Sequence, residues 1–325
     1  MRGELVTVFG GSGFVGRHVV RELAKRGARV RVAVRRPHLA HFLRPLGVPG
    51  QIELRQANLR YRPSVADALE GATAAVNLVG LLAEVGPQKF STLHVQGASS
   101  IAEFAAKRGI DRVVHVSAIG ADPKAESRYA RTKAEGEAAV RKLVPSATVL
   151  RPSIVFGPQD EFFNRFANMA RYSPVLPSIG FGRTKFQPVY VDDVADAVCA
   201  ALARPEAAGR TYELGGPEVY DFNALMKLML KVIDRKRLLL PIPFFAAELM
   251  GLAGDIVGAL PLIDPPLTRD QVLLLKHDNV VGASGEEGLG TLADLGVRAE
   301  TLEAILPTYL ERFRKYGQFA TESAA

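Results

Sequence analysis

The chain has a single cysteine, Cys199, in 325 residues. One thiol excludes an intramolecular disulfide and any metal site built from several cysteines. Its place in the apolar run Val194–Leu202 reads as a small buried hydrophobe. Long uninterrupted apolar runs are also missing. The most apolar stretch, Pro241–Leu262, is broken by proline, glycine, Glu248 and Asp255, which argues against a membrane-spanning helix. Nucleic-acid-binding motifs are absent and the basic residues are scattered. The net charge of +7 therefore points away from nucleic acid. It suits an anionic cofactor, an acidic protein partner or an anionic membrane surface. The first strand begins within a few residues of Met1, so no signal or transit peptide is expected and the protein is expected to work in the compartment where it is made. There is no internal repeat and no low-complexity tract.

Glycine is present where it carries information. Leu5, Val6, Val8 and Phe9 form an apolar run that ends in Gly10-x-x-Gly13-x-x-Gly16, and a helical pattern follows at once. Strand, glycine turn and helix in that order are the layout of a dinucleotide-binding βαβ unit. Gly10 permits the tight turn, Gly13 lets a pyrophosphate approach the backbone, and Gly16 lets the helix pack on the strand. The N–H groups at the helix start, around Phe14, Val15 and Gly16, then face the phosphates. The competing reading is a purely structural turn.

Strands and helices alternate through the first half. Leu5–Phe9, Arg29–Val34, Ile52–Arg55, Ala74–Leu78, Arg112–Ser117 and Ala147–Arg151 read as strands. Phe14–Arg26, Pro63–Leu69, Thr92–Arg108 and Tyr129–Lys142 read as helices. This alternation predicts an α/β fold, a Rossmann-type doubly wound parallel sheet. Residues 1–152 form the dinucleotide-binding domain in this reading. Residues 153–325 form a smaller C-terminal α/β lobe, from which 184–217, with its helix Asp193–Ala203, returns to the core. Val155–Pro158 and Pro174–Gly182 read as loops. Pro241–Leu262 reads either as a core helix or as a surface resting on a membrane or partner protein. The basic run Lys227, Lys231, Arg235, Lys236 and Arg237 just before it favours the second reading, though a solvated helix face also explains the charges.

The second strand ends in Val34-Arg35-Arg36, with no acidic residue to bind the ribose hydroxyls of NAD. Two guanidiniums there can form bidentate bonds to a 2′-phosphate, which selects NADPH over NADH. Two solvated arginines are the alternative. Asn58 and Leu59 after the third strand are placed to meet the adenine, and Val79 and Gly80 after the fourth to lie beside its ribose.

Tyr129 and Lys133 are spaced to share one helix face. An adjacent ammonium lowers a phenol pKa, and such a tyrosine can exchange a proton during hydride transfer. The glycine pattern, Tyr-x-x-x-Lys, Arg151-Pro-Ser-Ile-Val-Phe-Gly-Pro158 and Pro188-Val-Tyr-Val-Asp-Asp193 resemble an extended or atypical short-chain dehydrogenase/reductase as far as about Pro217. The resemblance implies a carbonyl-polarising hydroxyl after the fifth strand. Val116-Ser117-Ala118 puts Ala118 at that position and leaves Ser117 as its neighbour, so one donor is missing, and an active reductase would use Ser117 with Tyr129 and Lys133 as its catalytic residues. It also implies that Tyr129, Lys133 and Pro152 line the cofactor.

A narrower resemblance covers nearly the whole chain. Ser127–Glu137, Phe156–Ala167, Gln187–Val194, Leu267–Val272, Leu292–Val297 and Tyr309–Tyr316 are similar to the NAD(P)H-binding accessory subunit of respiratory complex I. That resemblance implies bound NADPH without turnover and partners among the subunits of an NADH:quinone oxidoreductase. It also implies a peripheral position, on the cytoplasmic side of the inner membrane if the protein is bacterial. The alternative is a soluble NADP-dependent short-chain reductase or epimerase, which intact Tyr129 and Lys133 leave open.

Overall fold

Val6 and Val8 turn one way from the first strand and Thr7 and Phe9 the other, and all four are buried. A strand covered on both sides belongs in the middle of a parallel sheet. The computed structural model of the protein describes residues 1–84, 86, 88–258 and 267–317. Its principal strands are β1 (Leu5–Phe9), β2 (Arg29–Val34), β3 (Ile52–Gln56), β4 (Ala74–Asn77), β5 (Arg112–Val116) and β6 (Thr148–Pro152). Four short strands follow: β7 (Val155–Phe156), β8 (Val175–Ile179), β9 (Lys185–Phe186) and β10 (Val189–Tyr190). The last three are β11 (Thr211–Leu214), β12 (Tyr220–Asp221) and β13 (Leu238–Ile242).

Seven of these strands form one parallel sheet in the order β11-β6-β5-β4-β1-β2-β3. The chain builds outward from β1 to β3, then crosses back to β4. Strand order thus reverses between β1 and β4, and the carboxyl ends of those strands flank the crevice where such sheets bind ligands. On one face α1 (Phe14–Lys25) and, later in the chain, Val191–Ala203 pack on Val6, Val8 and Val76. Cys199 sits in that core, where burial pushes its thiol up to about 12. On the other face α2 (Arg62–Ala68), α3 (Ala98–Lys107) and α4 (Arg128–Leu143) cover Phe9, Ala75 and Val113. The α3 helix is entered through a wide π-helical segment, Ser91–Gly97.

A third core brings together Phe156, Phe163, Phe222, Met226, Leu306 and Tyr309. Its helices are α5 (Phe163–Tyr172), then α6 (the Val191–Ala203 helix of the first core), α7 (Phe222–Val232), α8 (Phe244–Gly258), α9 (Arg269–Leu274) and α10 (Leu302–Leu310), of which α5, α7 and α10 supply the apolar contacts. Two expected loops prove to contain strands. Val155–Phe156 pairs with β10, and Val175–Ile179 pairs in parallel with Leu238–Ile242. Their ladders depend on partners distant in the chain, and Pro177 sits in a two-stranded edge ladder where a missing N–H is tolerated. Of the apolar stretch 241–262, residues 259–262 lie outside the described residues. In α8, Ala247 is buried, whereas Phe245, Leu249, Met250 and Leu252 expose 78%, 70%, 52% and 48% of their surface.

The α4 helix lies unusually close to the π-helical segment. A Cβ on Gly136 would overlap the His94 carbonyl oxygen. Gly136→Ala is therefore expected to lower stability by about 1–3 kcal/mol through overpacking, measured by denaturant unfolding. An unchanged midpoint would show that the two helices move apart freely.

Candidate functional site

The phosphate end is built by β1 and α1. Gly10 takes φ +80°, and a Cβ there would press on Leu78 and Val79 at 3.2 Å. Gly16 has no room at all, because its Cβ would overlap Gly10 and Gly11. Gly13 differs: the only atom near its missing Cβ is the Gly10 oxygen at 3.3 Å, so its outer side is open. No side chain caps α1 and no acid stands in its first turn. As at any helix start, the first-turn N–H groups, including those of Phe14 and Val15, have no carbonyl one turn back within the helix to bond. Gly11, which sequence reasoning passed over, is needed for packing. Its Cβ would lie 2.6 Å from a methyl of Val32.

At the adenosine side, Arg35 and Arg36 are exposed just beyond β2. Arg35 donates to Gln88 Oε1 at 2.9 Å. Arg17, missed from sequence, adds a third cation. It donates to the Gly13 carbonyl at 3.3 Å and lies 4.9 Å over the Phe42 ring. Asn58 and Leu59, expected to meet an adenine, lie just after β3. Asn58 Oδ1 accepts the Arg60 amide at 3.1 Å, and Leu59 is buried against the space left by Gly97. Asn77 Oδ1 accepts the Val79 amide at 3.1 Å, which leaves Gly80 exposed. Pro152 is buried at the end of β6, and its carbonyl accepts the Ile119 amide.

Tyr129 and Lys133 lie one turn apart on α4, with the ammonium 5.8 Å from the Tyr129 ring centre. Lys133 is buried and, among the described residues, donates only to the Val116 carbonyl at 3.3 Å, and burial pushes it down to about 8. The phenol is not lowered as the spacing alone implies. Burial and the Asp270 carboxylate push Tyr129 up to about 12. Asp270, at the start of α9, accepts from the Ser127 hydroxyl at 2.8 Å and from the Arg128 and Tyr129 amides at 2.6 and 3.1 Å. The α4 N-terminus is thus capped by a carboxylate supplied from the second lobe. Ser117 Oγ is buried without a hydrogen-bond partner, and Ala118 is the partly exposed neighbour. Both residues follow the end of β5, with Ser117 buried and Ala118 half-exposed.

Two histidines that sequence reasoning did not single out lie behind this pair. His115 accepts from Asn77 at 3.0 Å, which leaves its buried Nε2 unpartnered. His94 Nε2 accepts the Leu81 amide at 3.1 Å, and its Nδ1 faces the Thr132 hydroxyl at 3.0 Å. Burial and the Lys133 charge push both imidazoles down to about 3. Their positions after β4 and within β5 were the available signal. The second lobe also reaches the site through Asn279, which accepts from Ser153 Oγ at 2.7 Å, and through Gln271, which donates to the Leu82 carbonyl at 3.5 Å. Buried Arg151 forks onto Glu137 at 3.0 and 2.8 Å, tying β6 to α4.

The unpaired buried ammonium has a pH consequence. Between pH 8 and 10.5 the unfolded chain keeps the Lys133 proton and the folded chain releases it, so this group makes stability rise with pH across that window. Lys133→Met keeps the apolar stem and removes the charge. It should stabilise the free protein near neutral pH by as much as about 3 kcal/mol and flatten that rise. Unfolding midpoints from pH 7 to 10.5 check both; a destabilised variant would show that the ammonium is well solvated.

Residues 6–215 match the model of the NAD dependent epimerase/dehydratase family. The chain is 33% identical over 323 residues to the mitochondrial NADH dehydrogenase [ubiquinone] 1 alpha subcomplex subunit 9 of Mus musculus, covering 98% of this chain and 83% of that protein. It is also 33% identical over 201 residues to a ceramide reductase of Caulobacter vibrioides, covering 62% of each. Among solved structures, an NADPH-dependent quinone oxidoreductase of Escherichia coli complexed with NADPH has a similar fold. Its TM-score is 0.71 at 19% identity, over 92% of this chain and 97% of that one.

Proposed function

The chain belongs to the NAD dependent epimerase/dehydratase family, and from that premise we propose that it is an NADPH-binding accessory or assembly subunit of a complex-I-like NADH:quinone oxidoreductase with little or no catalysis of its own. The observation that carries this reading is the end-to-end likeness to a complex I alpha subcomplex subunit. The site supports it. The open face at Gly13 and the uncapped α1 terminus suit a pyrophosphate. Exposed Arg35 and Arg36, with no acid beside them, suit a 2′-phosphate. When bound, NADPH supplies a hydride donor. The chain, however, offers Ala118 where a carbonyl-polarising hydroxyl is wanted, and a phenol held protonated. Loss of one such donor alone costs about 10²–10³ in rate.

Peripheral attachment at the cytoplasmic side of a bacterial inner membrane completes the proposal. No helix of the described residues is long and apolar enough to cross a membrane. The exposed side chains of α8, preceded in the chain by basic Lys227 and Lys231 on α7 and Lys236 before β13, suit a membrane surface or the face of a partner subunit. The second reading, a soluble NADP-dependent reductase or epimerase, is favoured by intact Tyr129 and Lys133 and by the likeness to a ceramide reductase.

Affinity purification from gently solubilised native membranes tests the assignment. Quinone oxidoreductase subunits are expected to co-purify. Their absence, together with carbonyl reduction near an ordinary enzyme's rate of about 10 s⁻¹, would favour the second reading. The cofactor preference is tested separately by calorimetry. Replacing Arg35 and Arg36 by Ala should weaken NADPH about 10- to 100-fold, the worth of one or two charged hydrogen bonds, and leave NADH affinity nearly unchanged. Equal affinity of the unmodified protein for NADPH and NADH would remove the basis for the preference.

A further inference from the structure

We infer that His94 is the positioning residue for the nicotinamide–ribose half of the dinucleotide groove, fixing the β4 exit loop to the helix that carries Tyr129 and Lys133. This rests on the NADPH-binding reading and extends it to a residue outside the motifs read from the sequence above.

The direction of the groove comes from the fold. Gly10 and Gly13 mark the pyrophosphate position and Arg35 marks the adenosine side, beyond β2. The other half of a dinucleotide therefore runs across β4 toward β5, where Gly80, Leu81, Tyr129 and Lys133 stand. His94 lies directly behind that wall. A Cβ on Gly80 would sit 3.9 Å from His94 Nε2 and 3.2 Å from Lys133 Nζ.

The hydrogen bonds fix the imidazole's state. The Leu81 amide can only donate, so Nε2 is the lone-pair nitrogen and the single proton is on Nδ1. Nδ1–H then donates to Thr132 Oγ1 at 3.0 Å. That hydroxyl passes its own proton to the carbonyl of Arg128 at 2.9 Å or Tyr129 at 3.1 Å. The result is a one-way chain from the β4 exit loop into the first turn of α4. Only a neutral histidine can occupy the middle, because a protonated ring would set N–H against N–H. Burial and the neighbouring Lys133 and His115 hold it neutral.

Packing fixes the ring as firmly. Phe90 stacks on it at 5.3 Å and 23°, and Tyr129 meets it edge-on at 5.4 Å and 88°. Its backbone belongs to the π-helical segment Ser91–Gly97, a rare geometry often found at functional sites. The missing Cβ of Gly136 is what lets that segment approach α4. The ring has no place among the reacting atoms. It aligns Gly80 and Leu81 with Tyr129 and Lys133, so that all four present one surface to the ligand.

The test compares NADPH with adenosine 2′,5′-bisphosphate, which carries only the adenosine and 2′-phosphate half. His94→Leu is expected to weaken NADPH at least about tenfold, the cost of leaving the half-buried Leu81 amide unpaired. Affinity for the bisphosphate should change less than about twofold on the same scale. His94→Gln, whose amide oxygen can still accept from Leu81, should restore most of the NADPH affinity and the fluorescence of the bound reduced nicotinamide. A parallel loss of both ligands in His94→Leu, or unchanged NADPH affinity, overturns the inference while leaving the NADPH reading intact. Failure of the unmodified protein to bind either ligand overturns both. Should His94→Leu not fold, ¹⁵N NMR of the unmodified protein decides. A proton on Nδ1 with Leu81 bonded to Nε2 is expected, and the opposite tautomer overturns the proposal.

Discussion

The site depends on the absence of a side chain at Gly16. Its missing Cβ lets the first turn of α1 rest directly on the backbone of Gly10 and Gly11. That contact aims the free N–H groups of α1 at one point above the end of β1. The same helix then packs through Val19, Val20 and Leu23 onto α6, which brings the chain back from the second lobe to the central sheet. A side chain at Gly16 would lift α1 from the turn and move the phosphate-facing amides and the α6 packing together. The glycine is thus a requirement of the fold before it is a requirement of any ligand, and the two demands coincide because the ligand uses what the packing leaves unsatisfied.

The opposite wall of the groove is held by polar groups rather than apolar packing. Four buried side chains, Asn77, His94, His115 and Lys133, crowd behind Gly80 and Tyr129. Burying this many polar atoms costs stability unless each finds a partner. Here the matching is incomplete: His115 Nε2 and Ser117 Oγ have none, and Lys133 has one long bond. The deficit is offset elsewhere by fully paired groups such as Arg151 on Glu137, which clamps α4 to β6. A fold that tolerates unmatched polarity at one place while anchoring the same helix firmly at another has kept that place for something other than stability.

The sequence made the first half readable because its information is local. Val6 and Val8 alternate with Thr7 and Phe9, the glycines sit at a strand end, and Tyr129 and Lys133 are one helical turn apart. Long-range contacts were not readable. Asp270 adds to the burial that keeps Tyr129 protonated, yet the two are 141 positions apart. The β8–β13 ladder pairs a segment read as a loop, Pro174–Gly182, with Leu238–Ile242, far along the chain. Leu59 looked ligand-facing beside Asn58 but is buried because Gly97 leaves space for it. Ser117 and Ala118 were an intermediate case, since register assigned the missing hydroxyl and only the structure shows the remaining one buried without a partner.

These features fit together if the ligand's role is to hold structure rather than to react. A catalytic site must admit a substrate and release product, and therefore leaves its reacting groups accessible. Here the second lobe presses on that side. Asp270 caps α4, Gln271 reaches the Leu82 carbonyl, and Asn279 binds Ser153 and Ile119. Each contact links the sheet domain to the segment that follows α8. A dinucleotide bound beneath them would join the same two parts and favour the folded state in proportion to its occupancy, by about 2.7 kcal/mol at a hundredfold excess over its dissociation constant. The α8 surface and the groove share that joining segment, so the cofactor would order the surface without any need for turnover. Retaining Tyr129 and Lys133 is then no contradiction. On the proposed reading they form one wall of a binding groove, with Ala118 where a hydroxyl donor would stand and a phenol that burial and the Asp270 carboxylate keep protonated.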